Sequence, residues 1–309
     1  MIQMIWAGLK HASQDLVPHS IRLAVWRVED IYSNPYLLVL SVVLMGSVFI
    51  LEGVIPARKD QKIFSIAFLQ DFVWFNFSFL AQITLLVLYG NVLGFVYRHS
   101  FSFLTIHAVQ HWSKVSRVVL AYVLGDFLAW FHHFARHKVK PFWSFHQIHH
   151  SQRELNFFTE GRIHFFDYLA SASLVFIPAL MFQIDFSFIP ALVFFHEWYK
   201  HIYHSNLRTH YGFLKYFMVT PQSHRIHHSI ESRHQEKNFG TIFSVWDRLF
   251  GTLYENYDEY PETGIVDRGF PFEKESGISL LGSYWKQFLY PFRLIFHPQP
   301  VALEVSQNV

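Results

Sequence analysis

Two short stretches of this chain are nearly the same: FHQIHHS at residues 145–151 and SHRIHHS at residues 223–229. Each sets histidines at i, i+3 and i+4, a spacing that puts side chains on one face of an α-helix. The pattern predicts that His146, His149 and His150 converge on one point, and likewise His224, His227 and His228. Pro141 and Pro221 stand upstream, where a first-turn proline is tolerated, and Thr220 suits an N-cap. His133 and His137 add an i, i+4 pair, making three helical clusters of imidazoles. Neutral imidazole binds iron, zinc, copper or nickel, and four rings already complete a closed zinc site. The number of rings therefore points to two ions. Iron with three or four histidines keeps positions open for dioxygen.

The enrichment is regional: of 21 histidines in the chain, fourteen fall between His132 and His228. Asp126, Trp130, His133 and His137 follow one stripe of a helix. His132 lies about 100° off that face, which favours His133 as ligand and leaves His132 in support. Asp126 sits in an apolar segment, where a carboxylate costs about 2.5–3.5 kcal/mol and is kept for a partner. It is expected to orient a ligand histidine from another helix, because metal-bound imidazoles give their second N–H to a carboxylate or carbonyl. The stretch HEWYKHIYH resembles a zinc-protease motif only superficially. His196 and His201 are five apart and do not share the required face.

Something must hold these rings in place. The chain has 309 residues, 51% hydrophobic, 19% aromatic and 16% charged, against roughly a quarter charged in soluble domains. That balance points to a membrane protein. Cysteine is absent, which excludes disulfides, thiolate metal sites and cysteine nucleophiles. A net charge of +2, without basic runs, gives no sign of nucleic-acid binding.

Residues 1–34 mix Arg22, Arg27, Glu29 and Asp30 with apolar positions and read as an interfacial segment without a cleavable signal. Apolar runs follow at Pro35–Ile55, Phe72–Tyr97 and Val118–Phe134, each near the ~20 residues that cross a bilayer core. Residues 165–199 read as two antiparallel helices meeting near Asp185. The stretch GISLLGSYWKQFLYPFRLIF reads as an amphipathic helix at the membrane surface. Parity puts the histidine segments on one side together with Arg136, Lys138, Lys140, Arg153, Arg162, Lys200, Arg208 and Lys215, and the positive-inside rule makes that side cytoplasmic.

The expected fold is thus all-α: a multi-pass membrane helical protein whose cytoplasmic, histidine-rich helical cap holds a di-metal site. Its divisions are an N-terminal segment (1–34), transmembrane helices (35–114), a catalytic domain (115–255) and a C-terminal tail (256–309).

With DFLAWFHHFARH, FWSFHQIHHS, ELNFFTEGRIH, HIYHSN, TPQSHRIHHS and NFGTIFSVWDRLFGT in order, the chain resembles the fatty-acid hydroxylase/sterol desaturase superfamily over about Val118 to Tyr254. The resemblance implies a non-haem di-iron oxygenase that hydroxylates or desaturates a lipid. It would use O2 and an external electron donor of the cytochrome or ferredoxin type. It implies iron ligation by His133, His137, His146, His149, His150, His224, His227 and His228, with His204 as a further ligand. Where some members carry another ligand histidine four residues before His204, this chain has Lys200, and His201 is an alternative ligand or a residue that supports one. His164 is ligand or support, and Asp126, Asn156, Arg162, Asn238, Trp246 and Asp247 support the site. The alternative is a histidine-rich protein that binds or transports metal or haem in the membrane.

Overall fold

Apolar residues run almost unbroken from Pro35 to Val54 and again beyond Ile66, and in a computed structural model of the chain both runs are helices. The structure describes residues 35–183, 189–273 and 280–296. Within them lie α1 (Pro35–Val54), α2 (Ile66–Val96), α3 (Lys114–Lys138), α4 (Lys140–His150), α5 (Phe165–Met181), α6 (Ile189–His204), α7 (Pro221–His227), α8 (Val245–Phe250) and α9 (Leu280–Phe296). Among the described residues there is no β-strand, only isolated bridges such as Pro56 to Leu207. The expected interfacial segment 1–34 and the turn at Asp185 lie outside the described residues.

Local chemistry sets several boundaries. Ser65 and Ser113 cap α2 and α3 by accepting from the backbone N–H of Phe68 and Ser116. Such caps satisfy one of the orphan donors of a first turn. Pro141 falls in the first turn of α4, Pro221 opens α7, and Thr220 caps α7 in a reciprocal box with Ser223. These are the start signals read from the sequence.

α4 packs between α3, α5 and α9, while α2 lies against α5, α9 and the 3-10 turn Phe157–Gly161. That turn approaches α2 closely: a Cβ on Gly161 would sit 2.8 Å from the Phe75 Cα. Only glycine leaves room there. Trp74, Ile148, Phe270, Tyr284 and Tyr290 form one buried cluster that joins α2, α4 and α9, and Trp74 Nε1 donates to Gln287 Oε1 at 2.7 Å.

Among the described residues one helix, Lys114–Lys138, is long and apolar enough to cross a membrane, and Leu38–Val54 is a shorter apolar helix. The polarity of α9 is inverted relative to a soluble amphipathic helix. Leu281, Trp285 and Leu289 point outward, whereas Ser283 and Gln287 are buried.

Candidate metal centre

Nine buried or half-buried histidines meet where α3, α4, α6 and α7 converge. They form two groups: His133, His137, His146, His150 and His227, and His149, His204, His224 and His228. Within each group the ligand atoms all lie within 4.8 Å of one another. The expectation that each H-x-x-H-H stretch closes on a single point is corrected. The i, i+4 pair His146/His150 serves the first group while His149, between them, turns to the second. In α7 the pair His224/His228 serves the second group while His227 turns to the first. Residues four apart on a helix differ by only about 40° in direction, whereas a residue three positions along departs to the other side. Each repeated stretch therefore bridges the two groups.

In the first group the Nε2 atoms of all five rings are buried without a hydrogen-bond partner among the described residues. For three of them the Nδ1 atom explains the orientation. His133 Nδ1 donates to the Phe239 carbonyl at 2.9 Å, His227 Nδ1 to the Lys237 carbonyl at 2.8 Å, and His146 Nδ1 to Asp167 Oδ2 at 3.0 Å. Arg136 Nε pairs with the other Asp167 oxygen at 2.8 Å. An acceptor at Nδ1 fixes the tautomer and leaves the Nε2 lone pair bare, as metal-bound histidine requires. Three lone pairs so fixed, among five unpartnered Nε2 atoms in one buried space, fit a cation.

The second group is tighter. His204 Nε2 lies 3.1 Å from His149 Nε2 and 2.7 Å from His224 Nε2, which is 3.0 Å from His228 Nε2. His204 Nδ1 donates to the Lys200 carbonyl at 2.8 Å and lies 3.3 Å from Glu160 Oε2. Burial pushes His146, His149, His150, His204, His224 and His228 well below the ordinary imidazole pKa, and neighbouring rings push most of them further. Burial lowers His227 to about 4. The rings are neutral, which is the metal-binding form.

A family model for fatty acid hydroxylases matches residues 118–252. This segment is a fatty acid hydroxylase domain. The ornithine lipid hydroxylase OlsE of Rhizobium tropici is 29% identical over 193 residues, covering 58% of this chain and 57% of that protein. The alkylglycerol monooxygenase of Caenorhabditis elegans is 32% identical over 161 residues, 50% of this chain and 30% of its own length. The human alkylglycerol monooxygenase is 30% identical over 129 residues, covering 40% and 27%. The chain thus spans little more than half the length of the first of these and less than a third of the others. No solved structure matches.

The supporting residues of the hydroxylase domain work by holding backbone. Asp126 does not touch a histidine, contrary to expectation. It accepts from the Ile242 N–H at 2.9 Å, the Phe243 N–H at 3.3 Å and Trp246 Nε1 at 2.7 Å. Asp126 and His133 are two turns apart, so the carboxylate reaches the loop after Asn238 instead. Asp247 folds the same loop, accepting from the Phe239 N–H at 2.8 Å, the Gly240 N–H at 2.8 Å, Trp130 Nε1 at 3.0 Å and Thr252 Oγ1 at 2.6 Å. The Phe239 backbone thereby links Asp247, through its N–H, to His133, through its carbonyl. Asn238, in the left-handed region at φ 59°, donates from Nδ2 to the Ser223 carbonyl at 2.9 Å, next to His224.

Arg162 is fully buried. Its Nε donates to the Ile148 carbonyl at 3.0 Å, within α4, while its terminal nitrogens meet Asp71 at 2.8 Å and Glu273 at 2.6 Å. Asn156 Nδ2 donates to Asp71 at 2.9 Å. His164 is in neither group: its ring caps α5 by accepting from the Phe166 N–H at 3.2 Å and stacks on Phe288. His132 lies outside both groups, near Phe142. His201 donates from Nδ1 to the Phe157 carbonyl at 2.7 Å and stacks on that ring.

Sequence reasoning missed Asp167, Asp71 and Glu160. Asp167 and Asp71 carry much the same signal that drew attention to Asp126, a lone carboxylate in an apolar helix, although they stand near the helix start and Asp126 mid-helix. Glu160 had no such mark. It pairs with Lys200, which also meets Glu197 at 3.0 Å. Burial raises the Glu160 pKa to about 7 against the pull of Lys200. Burial works against the Lys200 ammonium, but the two carboxylates outweigh it and raise its pKa.

Proposed function

We propose that the protein is a multi-pass membrane oxygenase that uses O2 and two iron ions to hydroxylate a lipid, with electrons from an external cytochrome- or ferredoxin-type donor. The observation that carries this reading is the pair of adjacent histidine groups, one with five bare Nε2 atoms in a buried space. The first group would hold one ion through His133, His137, His146, His150 and His227, and the second another through His149, His204, His224 and His228. When bound, such ions supply dioxygen binding and the oxidising power that an unactivated C–H bond demands.

The chain's own groups fix four of the rings: Asp167, with Arg136 at its back, and the carbonyls of Phe239, Lys237 and Lys200 hold the N–H of His146, His133, His227 and His204, so these four need not reorient when a cation binds. The rings are packed against each other across the boundary, His150 over His228 at 4.3 Å between centroids. A haem carrier would need facing axial histidines with a porphyrin between them, so the oxygenase is the better reading. The names of the relatives support a lipid as substrate.

The membrane reading draws on the apolar α1 and α3 and on the outward Leu281, Trp285 and Leu289 of α9. A cytoplasmic site agrees with Lys140, Arg153, Arg208 and Lys215. Arg162 and Lys200 belong to internal ion pairs and do not count toward that rule. The test is conversion of membrane lipids in cells expressing the chain, read by mass, together with the iron content of purified protein. Oxygenated product that persists in His149→Ala and His227→Ala would sink the proposal.

A further inference from the structure

Behind His146, on the side away from the metal groups, α3, α4, α5 and α9 enclose a cavity of about 310 Å³, at the small end of the ~300–1,000 Å³ range of ligand pockets. None of the nine grouped histidines lines it. Its walls are chiefly aromatic, with Phe142, Phe145, Phe166 and Phe292 around Ala170. The polar lining is His132 and Asp167, and both Asp167 oxygens are already taken, by Arg136 and by His146. A polar ligand would find no free carboxylate oxygen there. Phe142, Phe166, Ile295 and Phe296 are exposed on their outer sides, as is Phe131 on the neighbouring face of α3, the helix long and apolar enough to cross a membrane. The mouth is therefore apolar and continuous with a lipid-facing surface.

We infer that this cavity takes an alkyl chain of a membrane lipid, held against Asp167 and beside, rather than over, the metal groups. The inference rests on the membrane reading above but does not need the metals. Because Asp167 is both a wall of the cavity and the acceptor for His146, a chain seated there packs against the carboxylate that orients a ligand ring. The chemistry of an alkyl chain is the same in the tail of the lipid that reacts and in a second, unreacted lipid.

The experiment uses the full chain purified in digitonin, which carries no alkyl tail, and the binding of anthroyloxy-stearate with palmitate as competitor. Ala170→Phe, which fills the cavity, is expected to weaken probe binding at least about tenfold at unchanged metal content. Phe292→Ala, which widens it, should bind the probe at least as tightly as the natural chain. His149→Ala should also keep binding, so a failure of the oxygenase reading would leave this result standing. Probe binding in Ala170→Phe within about twofold of the natural chain would overturn the inference, as would loss of binding in His149→Ala. A shift of turnover toward shorter chains in Ala170→Phe would identify the occupant as the substrate's own tail. An unchanged chain preference with lost probe binding would identify a second lipid.

Discussion

His149 and His150 are consecutive in the chain, yet their rings stand at 84° to each other and serve different histidine groups, one facing His204 and the other His137 and His227. The same division separates His227 from His228. Single substitutions should then remove metal from one group at a time. His150→Ala is expected to lower iron to about one ion per chain through the first group, and His149→Ala through the second, each by removing one imidazole from a set that shares a cation. His149→Ala combined with His204→Ala should cost little more metal than either alone, since both act on one ion. Complete loss of both ions from His150→Ala alone, with the fold intact, would contradict the division.

That division was not legible in the sequence. The repeated stretches announced helices and a gathering of histidines, because i, i+3 and i+4 spacing is a property of one helix. Which of three clustered rings turns to which histidine group depends on where α3 and α6 present theirs, and spacing along one strip does not contain that. The apolar runs gave α1 nearly to the residue, but α2 begins six residues before the run read from Phe72, and α3 extends four residues beyond Val118–Phe134 at each end, because polar end turns such as those at Gln70, Asp71 and Lys114 carry no apolar signal. Asp126 stood out by its cost in an apolar helix, but the identity of its partner was fixed by a loop more than a hundred residues later. Charged pairs such as Glu160 with Lys200 are invisible for the same reason.

Asp247 braces the loop that carries the Phe239 carbonyl to His133. In Asp247→Ala the N–H groups of Phe239, Gly240 and Trp130 lose their acceptor, and each buried orphan costs about 1–3 kcal/mol. Stability should fall by at least about 3 kcal/mol, and iron of the first group should fall with it. Thermal unfolding and metal analysis on the same preparation check this; a variant with natural stability and full iron would remove Asp247 from the support of the site.

Gly240 should tolerate no side chain. A Cβ there would stand 2.8 Å from the Phe243 carbonyl oxygen and from Val219 Cγ2, and 3.0 Å from Asp247 Oδ2. Overpacking of this kind costs about 1–3 kcal/mol. Gly240→Ala is expected to lower the melting temperature and to release iron at chelator concentrations that the natural chain resists, while Gly125→Ala, where nothing beyond the adjoining backbone of its own helix lies within 4 Å of the new Cβ, serves as the control without a clash.

Acid stability should depend on His164. Burial lowers its pKa from 6.5 to about 4, so the unfolded chain binds the proton more readily than the folded one. Stability is then full above pH 6.5 and is lost as pH falls through about 4, by on the order of 3 kcal/mol for this group at ~1.4 kcal/mol per unit. His164→Asn keeps an acceptor for the cap of α5 and removes the titration. Between pH 7.5 and 4.5 its unfolding free energy should decline less than that of the natural chain. Equal declines would assign the acid sensitivity to other groups.

His201 and His204 lie on one helix three residues apart, but only His204 faces another ring nitrogen. Its Nε2 is 2.7 Å from His224 Nε2, whereas His201 spends Nδ1 on the Phe157 carbonyl and its face on the Phe157 ring. His204→Ala should lower bound iron toward one ion per chain, and His201→Ala should leave most of it. Lys200 bears on the same group from the other side: in Lys200→Met the buried Glu160 loses its cation, and breaking a buried pair costs about 3–5 kcal/mol. The paired variant Lys200→Met with Glu160→Gln should recover much of that stability while iron stays bound, because neither side chain belongs to a histidine group. Equal iron loss in His201→Ala and His204→Ala, or loss of iron in the paired variant without unfolding, would show that the second ion is held by a different set of atoms.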